Sequence, residues 1–195
     1  MNLSKNDLHA LIKKLTLADE LKVTDIPNID LYMDQLTQLI DSKLGRFKRD
    51  ETDKILTKTM INNYTKAGLL MPPKNKKYSR DHIILLILVY FLKNILSIAD
   101  IKSLFTTILN NIATRDDDVI CLEDMYSTFL ELNNIELDNF YNSFIEKFDL
   151  IKTRTQQIDK ENKDTAEMFL VVIMLVAQAN AQKILAEKII DKYFK

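Results

Sequence analysis

Between Thr57 and Arg80 the chain reads TKTMINNYTKAGLLMPPKNKKYSR. Met60, Ile61, Tyr64 and Ala67 recur at helical spacing and would face inward. Lys58, Thr59, Asn62, Asn63 and Lys66 are left on the other side, a long polar face without an acid. Asn pairs bidentately with adenine, and Lys reaches guanine or phosphate, so these types at this spacing suit reading of the major groove of double-stranded DNA. Thr57 stands as N-cap, where helix N-termini commonly meet a phosphate. Beyond Gly68, Leu69 and Leu70 would seal the helix end, and Met71-Pro72-Pro73 would turn the chain outward. Lys74, Lys76 and Lys77 then fall at a tip, and Tyr78 returns to the core. A basic tip beside a polar helix is the layout of a winged helix-turn-helix, the helix in the groove and the wing on flanking phosphate. The candidate DNA-contacting set is therefore Thr57, Lys58, Thr59, Asn62, Asn63, Tyr64, Lys66, Lys74, Lys76, Lys77, Tyr78 and Arg80.

The elements that would position this face are helices. Four starts share one device, a Ser or Thr N-cap with an apolar residue before it and another four residues after. They are Leu3-Ser4 with Leu8, Leu56-Thr57 with Ile61, Tyr78-Ser79 with Ile83, and Leu96-Ser97 with Ile101. The pattern predicts helices over about 4–16, 29–44, 57–67, 79–94 and 97–113, with Gly45 and Gly68 as terminators. Ile83 to Leu92 is almost wholly apolar, so that helix must be the buried axis of its domain. After the polar break Thr114 to Val119 the spacing predicts three more helices, over about 122–132, 136–151 and 165–193.

Two Gly and three Pro in 195 residues starve a β-rich fold of turn residues and point to an all-α protein. The net charge of −1 hides an asymmetry. Residues 43–82 hold 11 Lys and Arg against 4 Asp and Glu, a net +7, while residues 114–164 hold 6 against 13, a net −7. A basic region of this kind suits an anionic partner, and it equally suits attraction to the acidic half of the same chain.

Enzymatic chemistry finds little footing. There is no Gly-rich phosphate loop, no Ser elbow and no His-Glu helix motif. His82 suits a surface or capping role in the first turn of its helix, and His9 rides on a lysine-bearing amphipathic helix. Asp116-Asp117-Asp118 lacks the Gly and terminal Glu of a calcium loop, and an acidic linker fits it better. One Cys, Cys121, excludes an internal disulfide, and its acidic neighbours suit a buried structural thiol rather than a sensor. No metal site and no cofactor is expected. The N-terminal segment MNLSKNDLHALIKKL has no apolar secretory core, and Met168 to Ala181 is short for a bilayer, so a cytoplasmic protein without a membrane span is expected.

In the same region the string T-x-x-x-I-x-x-Y-x-x-x-G-L-L-x-P-P is followed by K-x-Y-S-x-x-x-I and L-S-I-x-D-I-K. It resembles the DNA-binding domain of MerR-type regulators over about Leu56 to Phe105. Thr57, Ile61, Tyr64, Gly68, Leu69, Leu70, Pro72, Tyr78, Ser79, Ile83, Ser97, Ile98, Ile101 and Lys102 stand in matching order. The resemblance implies a recognition helix, a Pro-bearing wing and a dimer. Three departures stand out. Polar RFKRDET replaces the scaffold helix that immediately precedes recognition in that family. Asn62, Asn63 and Thr65 replace its usual Arg-Tyr-Glu, and no clean heptad run follows Phe105. The chain from about Ile26 to Phe105 is also similar to an uncharacterised bacterial family of unknown function.

The expectation is thus an all-α chain. Residues 1–113 form a helical arm and a winged helix-turn-helix module, and residues 114–195 a helical bundle for dimerisation or an effector. A sequence-specific transcriptional regulator acting as a homodimer on DNA is the first reading. A protein-interaction adaptor, whose basic face docks an acidic partner, is the alternative. Met125, Phe129, Phe140, Phe144, Phe148, Met168, Phe169 and Met174 could line a small-molecule effector pocket or a dimer face, though helical spacing makes simple core the commoner use.

Overall fold

The computed structural model of the chain describes residues 4–16, 21–113 and 121–195, and leaves out the side chains of 107–113. Seven helices and one two-stranded sheet make up the described residues. The chain divides into two compact units, Met1–Ala18 with Glu131–Leu185, and Asp19–Leu130 with Ala186–Lys195. We call them the flanking unit and the mid-chain unit. The expected boundary at 113/114 falls on residues outside the described set. The start of the sixth helix belongs with the mid-chain residues, and the first helix with the flanking ones.

The mid-chain unit is built on α4 (Arg80–Leu92), whose His82 to Ile87, Val89 and Tyr90 are all buried. A helix apolar on every side must be covered on every side, and this one is. Before it come β1 (Leu31–Tyr32), α2 (Met33–Leu44), α3 (Lys58–Ala67) and β2 (Lys77–Tyr78). α2 packs against both α3 and α4, with Leu36, Ile40 and Leu44 buried. β1 and β2 pair antiparallel, Leu31 opposite Tyr78 and Tyr32 opposite Lys77. That pairing explains why α2 starts at Met33 and not near residue 29. Residues 31–32 are held extended, and the Gln35 side chain accepts the Tyr32 N–H at 2.9 Å to open the helix there. Gly45 does not terminate α2 in the left-handed manner expected. Its φ is −55°, and the chain runs on into a 3₁₀ turn, Gly45–Phe47. After α4 follow α5 (Ile98–Ala113) and the first residues of α6 (Leu122–Arg154). Tyr126 of α6 is fully buried and donates its hydroxyl to the Leu21 carbonyl at 2.8 Å.

In the flanking unit α1 (Lys5–Lys13) opens on a capping box between Ser4 and Asp7. Leu8 of α1, Phe144 and Phe148 of α6, and Val171 of α7 (Lys160–Tyr193) form its core. Ile12, Phe140, Ile151, Met174 and Leu175 pack around them. Buried Thr155 donates to buried Glu167 at 2.9 Å, which gives each polar group a partner. The two helices expected over 122–132 and 136–151 are one, α6. Asn133 and Asn134 stand at the expected break, but each costs a helix only about 0.5 kcal/mol against Ala. With no Gly or Pro between Leu122 and Arg154, nothing stops the helix. α7 is also longer than the expected span, and by length and composition it could cross a bilayer, with a mean hydropathy of 1.7 over its most apolar 18 residues.

Candidate nucleic-acid interface

α3 begins where the sequence says it should. The Thr57 hydroxyl accepts the Met60 N–H at 3.2 Å, so one orphan donor of the first turn is satisfied. Ile61 and Tyr64 are buried, and Met60 and Ala67 half-buried. Lys58, Thr59, Asn62, Asn63 and Lys66 are exposed together on the outer face. The helix closes on Gly68, at φ 78°. The Gly68 N–H bonds the Thr65 carbonyl at 3.1 Å and the Leu69 N–H bonds the Tyr64 carbonyl at 2.9 Å, the Schellman pattern. Leu69 and Leu70 are buried directly after it.

Next comes a tight hairpin. Lys74 and Lys77 face each other across it, with the Lys77 N–H on the Lys74 carbonyl at 2.9 Å. Asn75 and Lys76 both have positive φ, 53° and 61°, which is the twist of a type I′ turn. Asn is favoured in that turn and Lys is not, so the chain places a charge at its tip against backbone preference. Lys74, Asn75 and Lys76 are exposed. Lys77 is half-buried, its ammonium 5.1 Å from the Tyr32 ring centroid.

The base of the hairpin is fastened by His82. Its Nδ1 accepts the Ser79 N–H at 3.1 Å, and its Nε2 lies 3.1 Å from the Met71 carbonyl. A carbonyl can only accept and an amide N–H can only donate, so the ring must be neutral with its proton on Nε2. Burial holds this imidazole below its ordinary pKa, against smaller upward pulls from Met71, Asp81 and Asp30. The expected capping role of His82 is therefore present, but in a buried ring. Tyr78 stacks edge-on to it at 5.4 Å.

Three residues of the expected contact set are turned inward. Tyr64 and Tyr78 are buried, and burial raises both hydroxyl pKa values. Arg80 is engaged on three sides. Its Nη1 and Nη2 donate to the carbonyls of Ile26 and Val23, each at 2.7 Å, and its Nε lies 2.7 Å from a Glu123 oxygen. A guanidinium held this way ties three chain segments together and has no fork left for a phosphate. Thr57 is half-buried and its hydroxyl already caps α3. Lys58 is exposed but paired with the Asp34 carboxylate at the start of α2. Lys66, Lys74 and Lys76 are exposed, and among the described residues they form no ion pair.

Sequence reasoning missed Asn75, although Asn at the first central position of a two-residue turn is itself a hairpin signal. It missed Asp34, for which no local signal exists. Cys121 is exposed, not buried as expected, because it sits one residue before α6 and offers its carbonyl to the Met125 N–H. His9 lies against Tyr141, 5.0 Å between centroids. Asp116 to Asp118 lie outside the described residues. Among the described residues no three His, Cys, Asp or Glu side chains gather as a metal site would need.

One family matches the chain, described as a domain of unknown function (DUF1836), over residues 21–129. That is more than half of the 195 residues, and the chain belongs to this family. The match covers β1 to the start of α6, and with them α3, the hairpin, His82 and the partners of Arg80. No curated protein and no solved structure matches.

Proposed function

We propose that this member of the DUF1836 family is a sequence-specific DNA-binding regulator whose mid-chain unit acts as a winged helix-turn-helix. α2 serves as the scaffold helix, α3 enters the major groove, and the hairpin from Gly68 to Tyr78 rests on flanking phosphate. One observation carries the reading. The exposed face of α3 holds Lys58, Thr59, Asn62, Asn63 and Lys66 and no acid, and it runs directly into a hairpin tip bearing Lys74, Asn75 and Lys76. Asn62 and Asn63 supply base readout, and the lysines supply sequence-independent attraction.

Purified protein is incubated with genomic fragments at moderate salt, and the retained DNA is sequenced. A single enriched motif is expected. Asn62→Ala with Asn63→Ala should scramble that motif while retaining affinity. Lys66→Ala, Lys74→Ala and Lys76→Ala together should weaken every sequence alike. No enrichment, or a motif indifferent to Asn62 and Asn63, would sink the recognition-helix claim. The adaptor reading then leads. It draws on the Asp34 carboxylate, which already occupies Lys58 and makes the edge of the face less hospitable to phosphate.

A further inference from the structure

α7 carries an apolar face that the flanking unit leaves open. At about 3.6 residues per turn, Phe169, Val172, Ile173, Val176, Asn180 and Ile184 fall on one side of the helix. Val171, Met174 and Leu175 fall on the opposite side, within the core around Leu8, Phe144 and Phe148. The five apolar members of the open side are between 49 % and 64 % exposed. We propose that a second copy of the chain docks here, the two α7 helices meeting about a two-fold axis.

Three observations favour the chain's own copy. The first is area. Half-exposed side chains of this size offer on the order of 100 Å² each, so with Leu170, Ala177 and Asn180 the patch approaches the roughly 800 Å² per partner of a stable interface. Monomers rarely leave that much contiguous apolar surface in water. The second is charge. Between Thr165 and Gln182 the only ionisable residue is Glu167, which is buried and bonded to Thr155. Over that span two copies meet without like charges opposed and a charged partner finds nothing to read; Lys183 follows only at its end, beside Ile184. The third is Asn180, exposed toward the C-terminal end of the stripe with no hydrogen bond among the described residues. Its amide both donates and accepts, and a two-fold axis sets it against an identical amide that satisfies both. A single buried Asn of this kind fixes the register of paired helices. A bilayer would instead leave Asn180 and Gln182 unpartnered in hydrocarbon.

Sedimentation velocity on the full chain over a dilution series, in the absence of nucleic acid, tests this independently of any DNA binding. The unmodified protein should run as a dimer. Ile173→Glu with Val176→Glu should raise the dissociation constant on the order of 100-fold or more, since two carboxylates would be buried unpaired. Both sites are exposed in the monomer, so far-UV circular dichroism should be unchanged. Asn180→Leu should still associate but lose the single stoichiometry. A protein that stays monomeric at every concentration overturns the proposal, as does a double variant that dimerises as tightly as the parent. Co-flotation with phosphatidylcholine vesicles, abolished in the double variant, would overturn it in favour of a lipid surface.

Discussion

Replacing His82 separates a structural account of the hairpin from a merely descriptive one. The ring accepts from Ser79 at the start of α4 and donates to the Met71 carbonyl at the start of the hairpin. His82→Ala removes both bonds and leaves a void among buried neighbours. With about 1 kcal/mol for each hydrogen bond and a similar amount for the lost packing, the cost is about 2–3 kcal/mol. His82→Gln is a finer probe. Its side-chain oxygen can still accept from Ser79, as Gln does in a capping box, while the bond to Met71 is lost, so about 1 kcal/mol is expected. For a chain of this length each kcal/mol moves the melting temperature by about 2–4 °C, which puts the Ala variant about 4–12 °C below the parent.

The pH dependence gives the sharper result. Folding lowers the pKa of this imidazole. Below the ordinary value of about 6.5 the unfolded chain takes up the proton before the folded one does. His82 thus contributes its full stability above that value, and the contribution is lost as pH falls toward the lower folded value. Protonated Nδ1 would also point a donor at the Ser79 N–H, so the cap and the hairpin base should loosen together. Melts followed by circular dichroism between about pH 5 and pH 7 should show the parent losing stability faster than His82→Gln. The protection of the Lys77 amide, bonded to the Lys74 carbonyl, relative to its intrinsic exchange rate should fall over the same window in the parent alone. Parallel pH profiles for the two proteins would refute the tautomer, and with it the claim that the ring is neutral because it is buried.

Two further substitutions should move in opposite directions although both replace a glycine by alanine. Gly45→Ala should stabilise by about 0.5–1 kcal/mol in chemical denaturation, because Gly45 has helical φ and a Cβ there meets nothing within 4 Å. Gly68→Ala should destabilise by about 1–2 kcal/mol. A Cβ at Gly68 meets only the end of Lys102 at 3.7 Å, so the penalty is the left-handed backbone and not a clash. Arg80→Ala should cost about 2–4 kcal/mol by the same assay, and Arg80→Lys should recover little, since an ammonium cannot span two carbonyls and a carboxylate.

The legible part of this fold was the local part. Ser4, Thr57, Ser79 and Ser97 cap helices through contacts within four residues, and a staple or capping box is written in adjacent letters. Gly68 was readable as a terminator because Leu69 and Leu70 follow and bury themselves, whereas Gly45 is followed by Arg46 and Phe47 and the chain stays right-handed. The continuity of α6 was not readable, because two consecutive Asn look like a break until tertiary packing outweighs their small propensity cost. The engagement of Arg80 was not readable for a different reason. Its partners lie 54 and 57 positions earlier in the chain and at Glu123, and no window of sequence shows that. Tyr64 is legible as inward, since it stands three residues after Ile61 on the same helical face, and its place in the contact set runs against that spacing.

Those inward turns change what the proposed interface can do, and the change can be measured. With Arg80 committed and Lys58 paired to Asp34, the cations left to meet phosphate are Lys66, Lys74, Lys76 and the half-buried Lys77. Each neutralised phosphate contributes about 0.9 to the fall of log affinity with log salt, so one chain should show a slope of about −3 to −4 on duplex DNA. A pair of chains bound together would double it. Fluorescence anisotropy of a labelled duplex over a salt series reads the slope directly. Asp34→Asn frees Lys58 and should steepen it by about 1 per chain, whereas Arg80→Lys should leave it unchanged. A slope that is shallow in the parent and indifferent to Asp34 would mean that these lysines face something other than phosphate, and the basic tip would then belong to a protein partner.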